Sequence, residues 1–146
     1  MEKFPNDCLI PVRSSMAYLF EAKERLYLFG GCRDYRDHIK DVQVYDFKKQ
    51  TWELAAFKLI KNRSCFMMSN IGSHVYIMGG YDGYECLRDV ERIDMSQESP
   101  KFEKMKDLCC PLKNSVSFLR DGQFYLVGGW DEKETQDKIY KYDPST

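Results

Sequence analysis

The hydrophobic positions of this chain fall into short runs separated by polar turns, and one of these runs occurs three times. Three apolar or aromatic residues followed by two glycines stand at residues 27–31, 76–80 and 125–129, spelled YLFGG, YIMGG and YLVGG. The spacing is 49 residues in both intervals, from 27 to 76 and from 76 to 125. A fixed period of this length predicts a repeat protein in which each copy is one supersecondary unit.

Each repeat contains the same order of strand-like segments. Residues 16–20 and 26–29 are rich in aliphatic and aromatic side chains and are joined by a short polar turn, which predicts a β-hairpin. In the third repeat this turn contains Asp121 and Gly122, a pair that readily adopts the positive φ angles of a tight turn. Two further runs follow a polar loop, so each repeat predicts one antiparallel sheet of short strands. The predicted strands are residues 16–20, 26–29, 42–45 and a fourth beginning at 52–54, then 65–68, 75–78, 90–94 and 102–105, then 116–119, 124–127 and 139–143.

The second strand of each repeat is apolar on both faces, which is typical of a sheet covered on both sides. The pattern therefore predicts an all-β protein of about three antiparallel blades packed face to face, an incomplete β-propeller. The third blade lacks its fourth strand, because the chain ends before it, and a strand at residues 1–4 could dock beside residues 139–142. The predicted division is residues 1–12 as the tail of a preceding blade, then blades at 13–60, 61–110 and 111–146.

The repeats resemble kelch repeats in features that recur in phase over the whole chain. These are the double glycines, the pairs Tyr45-Asp46, Ile93-Asp94 and Tyr142-Asp143, the aromatic residue Trp52 with Phe102 in its place in the second repeat, and the basic residues Arg13, Arg63 and Lys113 at the start of each first strand. Phe102 in place of tryptophan and Lys113 in place of arginine are mild departures. The resemblance implies blades of a propeller that generally has more blades than this chain encodes.

Three blades do not easily close a ring of the usual propeller size. The chain is therefore interpreted either as a piece of a longer protein or as one of two copies that associate head to tail. Pairing of two copies would give a homodimeric ring of six blades, twice the three that one chain encodes.

Composition and charge exclude several other classes of protein. The chain has 22 basic and 23 acidic residues mixed along its length and a net charge of −1, so it carries no basic stripe for nucleic acid or a membrane surface. The N-terminal residues lack the apolar segment of a secretion signal, which favours a cytoplasmic location. None of the six cysteines has the spacing of a zinc knuckle, and in a reducing compartment they are expected to remain thiols.

The sequence offers no converging set of catalytic or metal-binding residues, and no cofactor is expected. The glycine pairs belong to neither a GxGxxG motif nor a lysine-bearing P-loop, so their predicted role is close approach of backbones. The two histidines, His38 and His74, fall in loops at opposite ends of a blade and cannot share a metal. A copper oxidase of the kind built on kelch-like propellers needs more histidines, so we expect no enzyme activity.

The residues that recur in phase are expected to build the blades. Trp52, Phe102 and the residues at 45, 93 and 142 are predicted to pack between blades. The basic residues have two interpretations that the sequence leaves open, since they either line a partner-binding surface or bond neighbouring backbone carbonyls. The residues predicted to be structural are Gly30, Gly31, Gly79, Gly80, Gly128, Gly129, Trp52 and Phe102.

One face of the propeller is predicted to bind a protein partner. It carries the loops at residues 32–40, 81–88 and 130–138, together with the connections at 55–62 and 106–112. Tyrosine, tryptophan and arginine on such loops are the residue types enriched at binding hot spots. For Tyr81 and Trp130, which directly follow glycines, folding back onto the blade is the alternative. The predicted partner-binding residues are Tyr35, Arg36, Tyr81, Tyr84, Trp130, Asp131, Arg13, Arg63 and Lys113.

The kelch resemblance also implies a function, which is protein–protein interaction. Its leading specific form is substrate recognition in a cullin-type ubiquitin ligase adaptor, in which a BTB domain elsewhere binds the cullin. Actin or cytoskeletal binding is the alternative, and a propeller enzyme comes third. Because one fold serves many functions, these roles are expectations from the family resemblance.

Overall fold

The computed structural model describes residues 17–145, and all regular structure within that range is β-strand. No helix in this part of the chain is long and apolar enough to cross a membrane. The strands are β1 Tyr18–Ala22, β2 Arg25–Phe29, β3 Asp41–Asp46, β4 Thr51–Lys58, β5 Met67–Ile71, β6 His74–Tyr81, β7 Cys86–Asp94, β8 Phe102–Lys104, β9 Val116–Arg120, β10 Gln123–Val127 and β11 Ile139–Tyr142.

The strands form three antiparallel sheets, each in sequence order. Blade 1 is the sheet β1-β2-β3-β4, blade 2 is β5-β6-β7-β8, and blade 3 is the three-stranded sheet β9-β10-β11. The all-β prediction of about three blades is confirmed, including the short third one. The predicted tail at residues 1–12, the strand at 1–4 and Arg13 lie outside the described residues.

Two strands extend further than their sequence pattern indicated. Strand β4 runs to Lys58, which pairs with Asp41, so residues 55–58 are strand and the predicted connection at 55–62 is wrong in its first half. Strand β6 continues through the double glycine to Tyr81, which pairs with Cys86 of β7. Strand pairing thus extends both strands into segments whose local sequence did not predict strand. The β6–β7 loop is residues 82–85, shorter than the predicted 81–88.

The hairpin turns at the other end of the sheets use residues in the left-handed region. Asp121 and Gly122 have φ angles of 51° and 74°, which confirms the turn predicted from this pair. The corresponding turn of blade 1 holds Lys23 and Glu24 at 52° and 58°, although neither residue favours that region. The sheet on either side therefore determines this turn geometry.

The core of the molecule lies between the blades rather than inside any one of them. Between blades 1 and 2, Phe29 and Val44 face Val75 and Ile77 of β6. Between blades 2 and 3, the alternate β6 residues Tyr76 and Met78 face Phe124 and Leu126. Strand β6 is apolar on both faces because each face packs against a different neighbouring sheet.

The first two glycine pairs lie at or near the end of the second strand, where they meet the connection that leads to the next blade. A Cβ atom on Gly30 would lie 2.6 Å from the carbonyl oxygen of Arg63, and one on Gly79 would overlap the carbonyl oxygen of Leu112. The second glycine of each of these two pairs donates its N–H to the same carbonyl, at 2.8 Å from Gly31 to Arg63 and at 2.8 Å from Gly80 to Leu112. These glycines therefore join one blade to the next.

Arg63 is buried between blades 1 and 2 and is not available to a partner. Its side chain has no exposure, and its guanidinium donates to the carbonyl oxygen of Gly79 at 2.8 Å and forms an ion pair with Glu91. The Glu91 carboxylate also accepts the N–H groups of Ile60, at 2.7 Å, and of Lys61, at 3.1 Å. Burial lowers the pKa of Arg63, and the negative charge of Glu91 opposes that effect. Of its two interpretations, Arg63 takes the one in which it bonds carbonyl oxygens.

Lys113 is not the counterpart of Arg63, which corrects the sequence alignment. The residue that accepts the glycine N–H in the next blade is Leu112, and it is buried like Arg63. Lys113 instead corresponds to Ser64, because each forms an antiparallel bridge with the residue that follows the glycine pair. The 50-residue step between Arg63 and Lys113 is therefore one residue out of register with the 49-residue repeat.

The two recurring aromatic residues of the fourth strands differ in what they contact. The Phe102 ring lies 6.2 Å from that of Phe29 and 6.3 Å from that of Phe57, both on blade 1. Trp52 is half-buried and packs on Tyr45 of its own blade, at 5.4 Å between ring centroids. Phe102 thus packs between two blades, whereas the described contact of Trp52 lies within one.

A candidate partner-binding face

One end of the three sheets carries the β2–β3, β6–β7 and β10–β11 loops and the connections between blades, and we call this end the loop face. It comprises the inter-strand loops 30–40, 82–85 and 128–138 and the inter-blade connections 59–66 and 105–115. The connection from blade 1 lies against the first loop, since Leu59 donates to the carbonyl oxygen of Lys40 at 2.9 Å and Arg63 donates to that of Ile39 at 3.1 Å. Loops and connections therefore form one surface.

Each inter-strand loop of the loop face is shaped by an aspartate that accepts two backbone N–H groups. The Asp34 carboxylate binds the N–H of Arg36 at 2.9 Å and of residue 37 at 3.0 Å, and Asp82 binds that of Tyr84 at 2.8 Å. Asp131 does the same in the third loop, with both distances 3.0 Å. These hydrogen bonds hold the pKa of Asp34 and of Asp131 below the usual value. Asp131, predicted to contact a partner, is thus engaged with its own loop.

The first two loops present their tyrosines fully to solvent. Tyr35 is 94% exposed and Tyr84 is 92% exposed. Each stands inside the turn that its neighbouring aspartate closes, one residue after Asp34 and two after Asp82. Arg36 is exposed beside Tyr35. These three predicted partner-binding residues are therefore placed where a partner can reach them.

Loops 30–40 and 82–85 contact each other. Gly83 approaches the first loop so closely that a Cβ atom there would lie 2.9 Å from the ring of His38 and 3.2 Å from the carbonyl oxygen of Arg36. His38 is buried and its Nδ1 atom lies 3.0 Å from the Ser64 hydroxyl oxygen. The two exposed tyrosines therefore stand on neighbouring loops that are fixed to one another.

Tyr81 folds back onto the blade, as its second interpretation allowed. Its ring meets that of His38 edge-on at 5.3 Å, and the Lys113 ammonium lies over the ring, 4.1 Å from its centroid. Tyr81 is half-buried. Lys113 is likewise directed at Tyr81, which gives it a packing role at this site.

Trp130 is intermediate between the two alternatives. Its backbone exchanges hydrogen bonds with Lys113, at 2.9 and 3.0 Å, which fixes its position beside the connection that leads into its own blade. Its side chain is 37% exposed, so part of the indole faces solvent. The third loop is also held to the second, because the Glu132 carboxylate accepts the N–H of Cys86. All three loops are therefore connected through direct contacts.

A depression of about 270 Å³ lies beside Tyr84, between the first connection and the first two loops. Its lining has both signs of charge, from Lys40 and Lys61 and from Asp82. Lys61 also forms an ion pair with Asp89 at 2.8 Å. The surface therefore suits recognition by shape and paired charges rather than by a field of one sign.

Two features of the site were not anticipated from the sequence. The Ser64–His38 pair joins residues 26 positions apart, and no local sequence pattern predicts the contact. Gly83, by contrast, carries a detectable signal, because Asp-Gly within a short loop predicts a tight turn. Ser64 has no exposure, so its hydroxyl is a structural group on this face. Within residues 17–145 no three side chains of the metal-ligating types come together.

Comparison with known proteins places these sheets in a family. The chain matches the family described as the KLHDC2/KLHL20/DRC7 Kelch-repeats domain over residues 4–146. It is 26% identical over 140 residues to Kelch-like protein 25 of Xenopus tropicalis, covering 94% of this chain and 23% of that protein. It is 29% identical over 106 residues to Kelch-like protein 38 of Mus musculus, covering 73% and 17%. A third relative, Spermatocyte protein spe-26 of Caenorhabditis elegans, is 27% identical over 124 residues, covering 81% and 21%.

The chain thus spans about a fifth of the length of these relatives, as the covered shares of 23%, 17% and 21% state. The family match extends over nearly all of its residues and agrees with the three in-phase sheets and their glycine junctions. This chain belongs to the kelch-repeat domain family, and its three sheets are kelch blades of an incomplete β-propeller.

Proposed function

We propose that the loop face captures a protein substrate, and that the chain is the substrate-recognition part of a cullin-type ubiquitin ligase adaptor in the cytoplasm. The kelch-repeat domain match and the kelch-like relatives support a protein-interaction module. The adaptor role rests on resemblance to the kelch-like proteins, several of which are among the relatives. It requires a cullin-binding domain outside residues 1–146.

The observation that supports capture by the loop face is the pair of solvent-exposed tyrosines on mutually fixed loops. Tyr35 and Tyr84 are 94% and 92% exposed, while Asp34 and Asp82 restrain the backbone on which they stand. A tyrosine buries a large area on binding and loses few rotatable bonds. Because the loops are already ordered, binding would not have to supply the free energy of ordering them.

The experiment uses a photo-crosslinking amino acid at position 84 or, as the control, at position 47. Phe47 is 46% exposed and lies in the β3–β4 turn, at the opposite end of its sheet from the loop face. We expect position 84 to capture proteins from a cell extract that position 47 does not. Captured proteins that accumulate in cells when cullin activity is blocked would support the adaptor role.

The affinity of a captured protein then measures the contribution of each tyrosine. We expect Tyr84→Ala to weaken binding by about 1–3 kcal/mol, roughly 5- to 150-fold, with Tyr35→Ala in the same direction. Phe47→Ala should leave the affinity unchanged. Equal capture at positions 84 and 47, or wild-type affinity in Tyr84→Ala, would contradict capture by the loop face.

Actin binding is the alternative function, and the same proteins distinguish it. Co-sedimentation of the chain with filamentous actin, lost on Tyr84→Ala, would retain the loop face as the binding surface and replace the ubiquitin ligase role. A second copy of the chain is a further proposed partner. It would cover the open apolar face of blade 3 rather than the loop face, so native mass spectrometry separates this association from substrate capture.

A further inference from the structure

Cys109 and Cys110 place two thiols side by side in the connection between blades 2 and 3. Their sulfur atoms lie 4.0 Å apart, with Cys109 exposed and Cys110 half-buried. The connection is anchored on both sides, since Leu108 donates to the carbonyl oxygen of Arg88 at 2.8 Å and Leu112 to that of Leu87 at 3.0 Å. Both leucines are buried. The thiol pair is therefore held in a fixed segment and can be reached from solvent.

The separation of the two sulfurs fits a single bridging atom better than a disulfide. A disulfide bond is about 2.05 Å long and usually joins Cα atoms at least about 4.4 Å apart. Neighbouring Cα atoms across a trans peptide are only about 3.8 Å apart. Two bonds of about 2.3 Å from sulfur to one soft three-coordinate atom, at a pyramidal angle of about 100°, put the sulfurs roughly 3.5 Å apart. From the observed 4.0 Å the sulfurs would approach by about half an ångström to reach that value, against about 2 Å for a disulfide.

A cavity of about 340 Å³ adjoins the pair, and its lining combines two tyrosines and three leucines with charged and polar side chains. Tyr140 and Leu126 line it together with both cysteines. Tyr140 stands 49 residues after Glu91, and the two cysteines stand 49 residues after Ile60 and Lys61. In the earlier connection the Glu91 carboxylate binds both of those N–H groups. In the later connection the Tyr140 hydroxyl donates to Gln136 at 2.8 Å, and its ring forms a wall of the cavity.

We propose that Cys109 and Cys110 form a binding site for a monosubstituted trivalent arsenical, with the organic group of the arsenical in the adjoining cavity. Thiolate sulfur is the protein ligand that soft metal and metalloid centres prefer. Two protein sulfurs complete the three-coordinate shell of an arsenic atom that already carries one carbon substituent. No third protein ligand is required.

The chemistry balances without an oxidant. Phenylarsine oxide reacts with the two thiols so that two arsenic–sulfur bonds form and the arsenic–oxygen bond breaks. Both thiol protons leave on that oxygen as one molecule of water, and arsenic stays trivalent. Burial raises the pKa of the Cys110 thiol, which disfavours its thiolate at neutral pH. Alkylating reagents that require the thiolate should therefore modify Cys110 slowly, whereas the arsenical removes both protons as it binds.

The test is intact-mass spectrometry of the 146-residue chain after treatment with equimolar phenylarsine oxide and a wash with excess monothiol. We expect one retained phenylarsenic group per chain, released by 2,3-dimercaptopropanol. Cys109→Ser and Cys110→Ser should each lose the retained group, because one sulfur does not hold it against a monothiol. Cys32→Ser, which alters a buried thiol in the first loop of the loop face, should retain it.

Fragmentation of the adduct formed by the unaltered chain locates the arsenic independently of any variant. Arsenic found on a peptide that contains Cys109 and Cys110 supports the site. This result holds even if circular dichroism shows that a serine variant is unfolded. Tyr140→Ala removes one of the two aromatic side chains that line the cavity and should speed the release by dithiol several-fold. No retained group on the unaltered chain, or a group retained equally by both serine variants, would overturn the proposal.

Discussion

Among residues 17–145, blade 2 is covered by a sheet on both faces, whereas blade 3 is covered on one. Three apolar positions of blade 2 that pack against blade 3 have apolar counterparts 49 residues later. Met67, Met78 and Val90 are 1%, 0% and 0% exposed, whereas Val116, Val127 and Ile139 are 69%, 37% and 66% exposed. The residue type is the same at both sets of positions, and only the neighbouring sheet differs. The apolar face of a kelch blade is therefore a surface made for another blade, and its stabilising contribution arises only when one is present.

The junction glycines give the most severe test of this comparison. Gly79 and Gly128 are equivalent, with φ angles of 60° and 64°, so a side chain causes the same backbone strain at both. A Cβ atom on Gly79 would also overlap the carbonyl oxygen of Leu112, whereas on Gly128 the nearest such atom, the carbonyl oxygen of Gln136, lies 3.5 Å away. We expect Gly79→Val to abolish cooperative thermal unfolding, measured by circular dichroism.

The matched variant Gly128→Val should still unfold cooperatively. Its loss in the free energy of unfolding should be somewhat above the roughly 1–2 kcal/mol of strain that a side chain causes in the left-handed region, because valine is β-branched. An unchanged melting temperature in Gly79→Val would show that the glycine is not required at the junction. Equal losses of stability in both variants would show that backbone strain alone, and not the approach of the next blade, explains why glycine is required at these positions.

The buried ion pair of blade 2 is replaced one repeat later by two uncharged residues. Leu112 and Tyr140 stand where Arg63 and Glu91 stand one repeat earlier. Replacing Arg63 alone by leucine leaves the Glu91 carboxylate buried without its cation, and we expect a loss of about 3–5 kcal/mol in the free energy of unfolding. Urea denaturation measures this loss.

The double variant Arg63→Leu with Glu91→Tyr transplants the arrangement of blade 3 into blade 2. We expect it to recover most of the lost stability, because replacing a whole buried ion pair by apolar groups is often close to neutral. A double variant as unstable as the sum of the two single variants would mean that the charges themselves hold this junction together.

Truncating one apolar residue on the covered face of blade 2 and its equivalent on blade 3 measures how much a neighbouring blade contributes to stability. Val90→Ala should cost about 2–3 kcal/mol, from lost burial and a residual cavity. Ile139→Ala, at the equivalent open position, should cost less than about 0.5 kcal/mol. If a second copy covers this face in solution, the cost of Ile139→Ala will rise with protein concentration and native mass spectrometry will show a dimer. A concentration-independent cost and a monomeric mass exclude the paired ring at the concentrations tested.

The fold was predictable because its main signals are local and repeated. The period of the glycine pairs and the two-sided apolar pattern of β6 identify face-to-face sheets without any knowledge of contacts. The ends of strands were less predictable, since β4 continues to Lys58 through pairing with β3 rather than through its own sequence. The register of the first strands was misjudged for a similar reason. In the sequence, the basic side chains of Arg63 and Lys113 suggest that these two residues are equivalent. The junctions instead use the backbone carbonyl groups of Arg63 and Leu112, which no side-chain pattern identifies.

The candidate site was only partly predictable, because exposure depends on contacts between distant residues. Tyr35 and Tyr84 follow from the turn chemistry of Asp34 and Asp82, which is readable along the chain. Tyr81 directly follows a glycine pair and packs against His38 and Lys113, 43 residues before it and 32 after it. No local pattern separates these two outcomes.

The turn aspartates should behave alike in the two blades, since their contacts are local. Hydrogen bonds from the Gln97 amide and the Ser96 N–H hold the pKa of Asp94 far below its usual value, and Ser145 lowers that of Asp143 in the same way. A carboxylate whose pKa is lower in the folded chain contributes stability above its unfolded pKa of about 3.9. That contribution disappears as the pH falls through the folded pKa. We therefore expect the melting temperature to drop below about pH 4.

Asp94→Asn and Asp143→Asn isolate the contribution of each turn carboxylate to stability, which is the smallest effect expected. Asparagine keeps an oxygen that accepts the turn N–H groups but carries no charge, so each variant should be slightly less stable at neutral pH. The difference from the unaltered chain should shrink as the pH is lowered, because the carboxylate it replaces becomes protonated. Melting curves between about pH 7 and pH 3 measure this convergence. A pH-independent difference would contradict the linkage. A loss confined to Asp94→Asn would show that even this turn depends on the neighbouring blade.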